Sequence, residues 1–127
     1  MKPFLATLCA AFALLLSPFT MAQYDPQCEE KAQYAQYSQR CDQQREQHFN
    51  ALLNQGYQAL MKQQTSAGKA HLRQMQRAWM RERDSECHAI VANTVVDAGM
   101  AGDKCLADYT ENRALAIHTW LKQGKRF

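Results

Sequence analysis

The chain has 127 residues, a formal net charge of +3, and charged side chains at 21% of positions against 46% hydrophobic. That length holds one domain with a modest core, and a balance so near neutral argues against the basic surface of a nucleic-acid binder. No run is apolar over the ~18 to 20 residues a bilayer helix needs, which argues against a membrane span.

The first segment opens with Met1-Lys2-Pro3, continues as an apolar run from Phe4 to Leu16, and ends on Ser17-Pro18 and the small-residue site Thr20-Met21-Ala22. This is the pattern of a secretory signal peptide, residues 1–22, leaving residues 23–127 as the exported domain. Cys9 lies inside the apolar run instead of after it, so it is no lipidation site and departs with the signal. Export places the remainder in a periplasmic or secreted setting.

From about Gln27 to Gln63, Tyr34, Tyr37, Cys41, His48, Phe49, Leu52, Leu53, Tyr57, Leu60 and Met61 recur at spacings of three and four. That periodicity predicts one long amphipathic helix, with Asp25 as N-cap and Pro26 in the first turn. Turn signals at Gln63–Gly68 predict a reversal, with Thr65 or Ser66 capping a second helix from Lys69 to about Ala98. In that helix Trp79, Arg83 and Cys87 stand four apart and share one face. Gly99 and Gly102 read as a loop, and Asp103 as the cap of a third helix carrying Leu106, Tyr109, Arg113, Leu115, Ile117 and Trp120. The tail Lys125-Arg126-Phe127 is expected to fray. The fold class is therefore all-α: a long antiparallel helical hairpin plus a third helix.

Cys28, Cys41, Cys87 and Cys105 are four cysteines in an exported chain, which predicts two disulfides and allows three connectivities. On one straight helix Cys28 and Cys41 would lie about 19 Å apart, beyond the ~7 Å Cα limit. In a hairpin turning near Thr65 or Ser66, Cys41 stands nearly level with Cys87, and Cys28 with Cys105, so this ladder is the first choice. A kink near Ser38 would instead allow Cys28–Cys41 with Cys87–Cys105. The third pairing, Cys28–Cys87 with Cys41–Cys105, misses level by many residues.

Cys41, Leu53-Asn54, Tyr57, Leu60, Leu72, Gln76-Arg77-Ala78-Trp79, Arg83-Asp84, Cys87, a glycine-bearing segment, Cys105, Thr110 and Arg113 form a pattern that resembles the lysozyme-inhibitor LprI N-terminal family. The resemblance covers about Cys41 to Leu121. Asn50 stands where the family often has an acid, and Cys28 is additional to its commoner cysteine set. The resemblance implies an exported, all-helical, disulfide-linked domain of bacterial envelopes, with lysozyme inhibition as the activity behind the family name. It supplies no inhibitory residue set.

Among charged residues, Arg83, Asp84 and Arg113 read as a structural ion-pair group locking the helices, because an Arg on the Trp79 and Cys87 face needs a partner. On that reading Arg83→Ala lowers the melting temperature sharply. Lys69, Arg73, Arg77 and Arg81 step by four along the second helix and form a basic stripe. Such a stripe is ordinarily a solvated face, and it is also the candidate surface for an anionic partner. His48, His71, His88 and His118 match no zinc spacing, and no redox, haem, nucleophile or phosphate-loop motif is present, so neither cofactor, metal nor catalytic residue is expected. Of the aromatics, Tyr34, Tyr37 and Trp120 lie nearest helix ends and are the candidates for exposure.

The residues read as a binding protein and not an enzyme, and the resemblance implies its protein partner: a lysozyme or other wall hydrolase, blocked by occlusion of its cleft. Two other classes compete with it: a structural or chaperone-like periplasmic protein, and a binder of anionic cell-wall fragments. An inhibitor forms a stoichiometric complex with a hydrolase, a chaperone suppresses aggregation of unrelated clients, and a fragment binder retains isolated wall pieces. Nothing in the sequence fixes the oligomeric state.

Overall fold

The computed structural model describes residues 24–31 and 34–127; the signal segment expected at 1–22 lies outside them. Four helices follow in order: α1 Cys28–Lys31, α2 Ala35–Lys62, α3 Ser66–Asn93 and α4 Ala98–Lys122. Among the described residues there is no strand, and no helix is long and apolar enough to cross a membrane. The all-α, disulfide-linked architecture expected from periodicity is the one the chain adopts, with element boundaries that differ in three places.

The first difference is a break in the long first helix. Asp25 caps α1, its carboxylate accepting from the Gln27 amide at 2.9 Å and from Lys31 Nζ at 2.8 Å. The chain then passes through Tyr34 in extended backbone, φ −134° and ψ 146°, before α2 begins. Two helices separated by an extended residue need not share an axis, so α1 packs back on α2.

The second difference is at the end of α3. Asn93 Nδ2 donates to the Ala89 carbonyl at 2.8 Å and Thr94 Oγ1 to that of Ile90 at 2.6 Å, so side chains take over carbonyls that further helical turns would have used. Thr94 is extended, and Asp97, at φ 58°, makes the left-handed reversal into α4. The N-cap is therefore Asp97 and not Asp103, and Gly99 and Gly102 belong to α4. Gly102 is needed there for proximity: a Cβ would meet Val91 Cγ2 at 2.8 Å.

The third difference is the tail. Gln64, buried in the α2–α3 turn, donates to the Lys125 carbonyl at 2.8 Å and accepts from the Phe127 amide at 3.1 Å. Lys125 Nζ also sits 4.6 Å from the Trp120 ring centre. The segment expected to fray is docked by a buried amide that bonds it at both ends. The turn itself forms as expected, with Thr65 Oγ1 accepting from the Gly68 amide at 3.2 Å.

α4 packs along α2 most extensively and along α3 as well, while α2 and α3 make little contact with each other. The arms of the hairpin are splayed, and α4 fills the space between them. Each long helix contributes a fully buried large apolar side chain, Leu60, Leu72 and Ile117, with Thr110 of α4 also fully buried, and Phe49, Leu53 and Ala114 complete the core. Burying such side chains is worth about 1.5–3 kcal/mol each.

This geometry overturns the cysteine ladder. The bonds are Cys28–Cys41, Cα atoms 5.7 Å apart, and Cys87–Cys105, 5.5 Å apart. The break at Tyr34 brings Cys28 beside Cys41, and the reversal at Asp97 brings Cys105 level with Cys87, the two standing equally far from Val96. The ladder bond from Cys41 to Cys87 is not available, because α2 and α3 do not lie side by side. Each bridge is worth about 3 kcal/mol through loop entropy.

Two outcomes follow. Peptide mapping without reduction should recover Cys28 linked to Cys41 and Cys87 linked to Cys105; a ladder-linked peptide would contradict the packing order. Gly56→Ala should destabilise the domain, because its Cβ would fall 2.9 Å from His118 Nε2 and 3.1 Å from Ile117 Cγ2. His118 is held by its bond to the Leu52 carbonyl and Ile117 is fully buried, so neither can retreat. The overpacking cost of ~1–3 kcal/mol exceeds the ~1 kcal/mol gained in helix propensity, and thermal denaturation should show a melting temperature lowered by a few degrees.

Candidate functional site

Two arginines on this scaffold have opposite circumstances. Arg45, on α2, has its side chain 15% exposed and meets three carboxylates: Asp42 at 2.8 Å, Asp108 at 2.7 Å and Glu111 at 2.9 Å. Glu29 of α1 approaches at 4.0 Å. One guanidinium thus ties α2 to α4, with α1 beside it. Burial alone would lower the Arg45 pKa, and the three charge-assisted bonds outweigh it, so the net displacement is upward. Asp108 is the mirror case. Burial raises its carboxyl, but bonds from Lys104 and Arg45 hold it below the usual carboxylate range. Sequence reading missed Arg45 because two of its three acids, Asp108 and Glu111, lie on α4 and meet it only through the α2–α4 register. A polar cleft of about 210 Å³ adjoins the cluster, between Tyr24, Glu29, Arg45 and Glu111.

Arg113, on α4, was expected to join Arg83 and Asp84 in an ion-pair group. Arg83 does pair with Asp84, at 2.7 Å, but both residues belong to α3, so that pair ties no two helices together. Among the described residues no carboxylate lies within ion-pair distance of Arg113. Its Nε donates instead to Gln76 Oε1 at 3.0 Å, while Nη2 is buried with no hydrogen-bond partner. The guanidinium stands 5.6 Å from the ring centre of Trp79 and 5.1 Å from that of Trp120, and Arg83 is 5.1 Å from Trp79. Burial lowers the Arg113 pKa, which Tyr57 partly offsets. Cation–π attraction of ~0.5–2 kcal/mol per ring compensates for some of this desolvation.

Beside this aromatic clamp lies a groove of about 350 Å³, lined by Trp79, Asp108, Tyr109, Asn112, Arg113 and Ala116. Gln76, Trp79, Arg83 and Arg113, scattered over two helices in sequence, are gathered here. Burial first, then Glu86 and Glu82, raise the Tyr109 phenol.

The basic stripe is placed differently. Arg73, Arg77 and Arg81 are exposed and Lys69 half-buried, and among the described residues none of the four forms an ion pair. Their four-residue step carries them around α3 away from the face bearing Leu72 and Trp79. Of the aromatics, Tyr34 and Tyr37 are exposed at 65% and 47%, whereas Trp120 packs against the core between Arg113 and Phe127. The α3–α4 reversal presents a further apolar tip, Val95 at 98% and Val96 at 72% exposure. His48 stacks on Tyr24, His71 lies by Phe127, and His118 bonds the Leu52 carbonyl. Among the described residues no group of three or more His, Cys, Asp or Glu side chains is placed to hold a metal.

Splayed long helices and two disulfides of the kind kept in an oxidising compartment define a disulfide-stapled helical domain. A family model described as Lysozyme inhibitor LprI matches residues 28–116, well over half of the chain, and the protein belongs to that family. The match begins at Cys28 and so includes both disulfides. Neither a curated protein nor a solved structure matches the chain.

Arg45→Ala would leave Asp42, 3% exposed, buried without its cation. Removal of one partner from such a cluster costs about 3 kcal/mol or more, and denaturant titration should show a loss of that order, larger than for Arg83→Ala. Because the folded Asp108 carboxyl is depressed, its contribution is present above the ordinary carboxylate range and lost as pH falls through the folded value. Its side chain is 42% exposed, so solvent screening keeps the effect to about 1 kcal/mol or less. Asp108→Asn should flatten the stability profile below about pH 4, measured as melting temperature against pH.

Proposed function

We propose that this protein is an exported inhibitor of a lysozyme or related peptidoglycan hydrolase, acting in the periplasm or outside the cell by occluding the enzyme's cleft. Membership of the LprI family supports the reading, and the basic stripe of α3 is the observation that carries it to a surface. Glycoside hydrolases work with two carboxyl groups flanking the scissile bond, so their clefts concentrate negative charge. Arg73, Arg77 and Arg81 offer exposed guanidinium groups that form no ion pair among the described residues and are suited to bidentate pairing with carboxylates. The chain's net charge is small, so attraction acts at contact and not over long range, and stripe substitutions should change the dissociation rate more than the association rate.

The test is a titration of a c-type lysozyme on cell-wall substrate with the oxidised exported chain and with its reduced, alkylated form. Saturable inhibition near one-to-one, lost on reduction, is the expected result. Arg73→Glu/Arg77→Glu/Arg81→Glu should weaken it about tenfold or more, since each charge-assisted bond is worth ~1.5–3 kcal/mol. No inhibition at large excess would remove lysozyme as the target.

A further inference from the structure

We infer that the α3–α4 groove is a binding site for a small carboxylate-bearing ligand, with Arg113 receiving the carboxylate. This inference is independent of hydrolase inhibition and concerns a different surface from the basic stripe.

The argument is one of unmatched charge. A guanidinium withdrawn from water needs carboxylates or acceptors, and Arg45 in this same fold has three carboxylates. Among the described residues Arg113 has one neutral amide and two indole faces, and its buried Nη2 has no acceptor. The two rings fix its position, so the cation is held ready where it lines an open groove. Asp108, the one acid lining that groove, is already engaged by Arg45 and Lys104 at 2.7 and 2.9 Å and does not neutralise Arg113.

The remaining walls define the body of the ligand. Trp79, Tyr109 and Ala116 supply apolar surface, and Asn112 supplies an amide that can donate and accept. A volume of about 350 Å³ lies at the small end of ligand pockets and suits one sugar ring or two short residues. Outside the cytoplasm, carboxylates on such bodies come from sugar acids of wall glycan or from the ends of wall peptides. The shared chemistry is a carboxylate on a compact, partly apolar body.

The experiment uses the oxidised exported chain with no hydrolase present, following Trp indole and backbone amide resonances by NMR. N-acetylmuramic acid and N-acetyl-D-alanyl-D-alanine represent the two sources, and N-acetylglucosamine is the ring without the carboxylate. At least one acid should bind about tenfold or more tightly than the neutral sugar, the factor a charge-assisted bond supplies, and which acid binds identifies the source. Arg113→Met keeps an apolar stem between the indoles and should abolish the preference. Ala116→Trp fills the groove without touching Arg113's charge and should abolish binding; it carries the test if Arg113→Met does not fold. Absence of binding by both acids, equal binding of acid and neutral sugar, an acid preference that survives in folded Arg113→Met, or binding that survives in folded Ala116→Trp would overturn the inference.

Discussion

The close seating of α4 against α2 is the constraint on which the rest of the molecule depends. It is possible because Gly56 leaves room for Ile117 and His118, and because Ala107 and Ala114 present small buried surfaces. With α4 in that position, Arg45 can reach Asp108 and Glu111, and Leu60, Leu72 and Ile117 can share one core. The same seating keeps α3 away from α2, which opens a groove on the α3 side of α4. Packing order, ion cluster and candidate site are three results of one helix placement.

Much of this could be read from the residues. The apolar stripe of α2, the turn at Gln63–Thr65 and the stripe of α4 follow helical periodicity, and the capping role of Thr65 follows from its hydroxyl. What could not be read was decided by single backbone residues or by tertiary register. Tyr34 has no sequence mark of an extended residue, since aromatic residues occur freely in helices. Asp97 adopts a left-handed conformation usually given to glycine, while the glycines that invited a loop, Gly99 and Gly102, lie inside α4. Those two local choices decided the disulfides, which is why a level-matching argument built on straight antiparallel helices chose the wrong pairing.

The candidate site was legible in parts. Arg83, Asp84 and Arg113 read as one ion-pair group in the sequence, because one-dimensional reading assumes that a half-buried arginine finds an acid; the Arg83–Asp84 pair forms, but among the described residues Arg113 has no carboxylate in it. In the folded chain the acids go to Arg45, and Arg113 is held by indoles and an amide. The difference matters for chemistry. A cation saturated by carboxylates is a fastener, whereas a cation held by ring faces retains its capacity for an anion.

The order of the cysteines along the chain has a bearing on biogenesis. Each bond joins neighbours in sequence, Cys28 to Cys41 and then Cys87 to Cys105. A chain delivered across a membrane from its amino-terminal end exposes the first pair complete before either member of the second arrives. An oxidant acting on thiols in order of emergence therefore makes both native bonds, and no wrong bond must be undone. Native pairing in this fold thus follows the order of the cysteines along the chain.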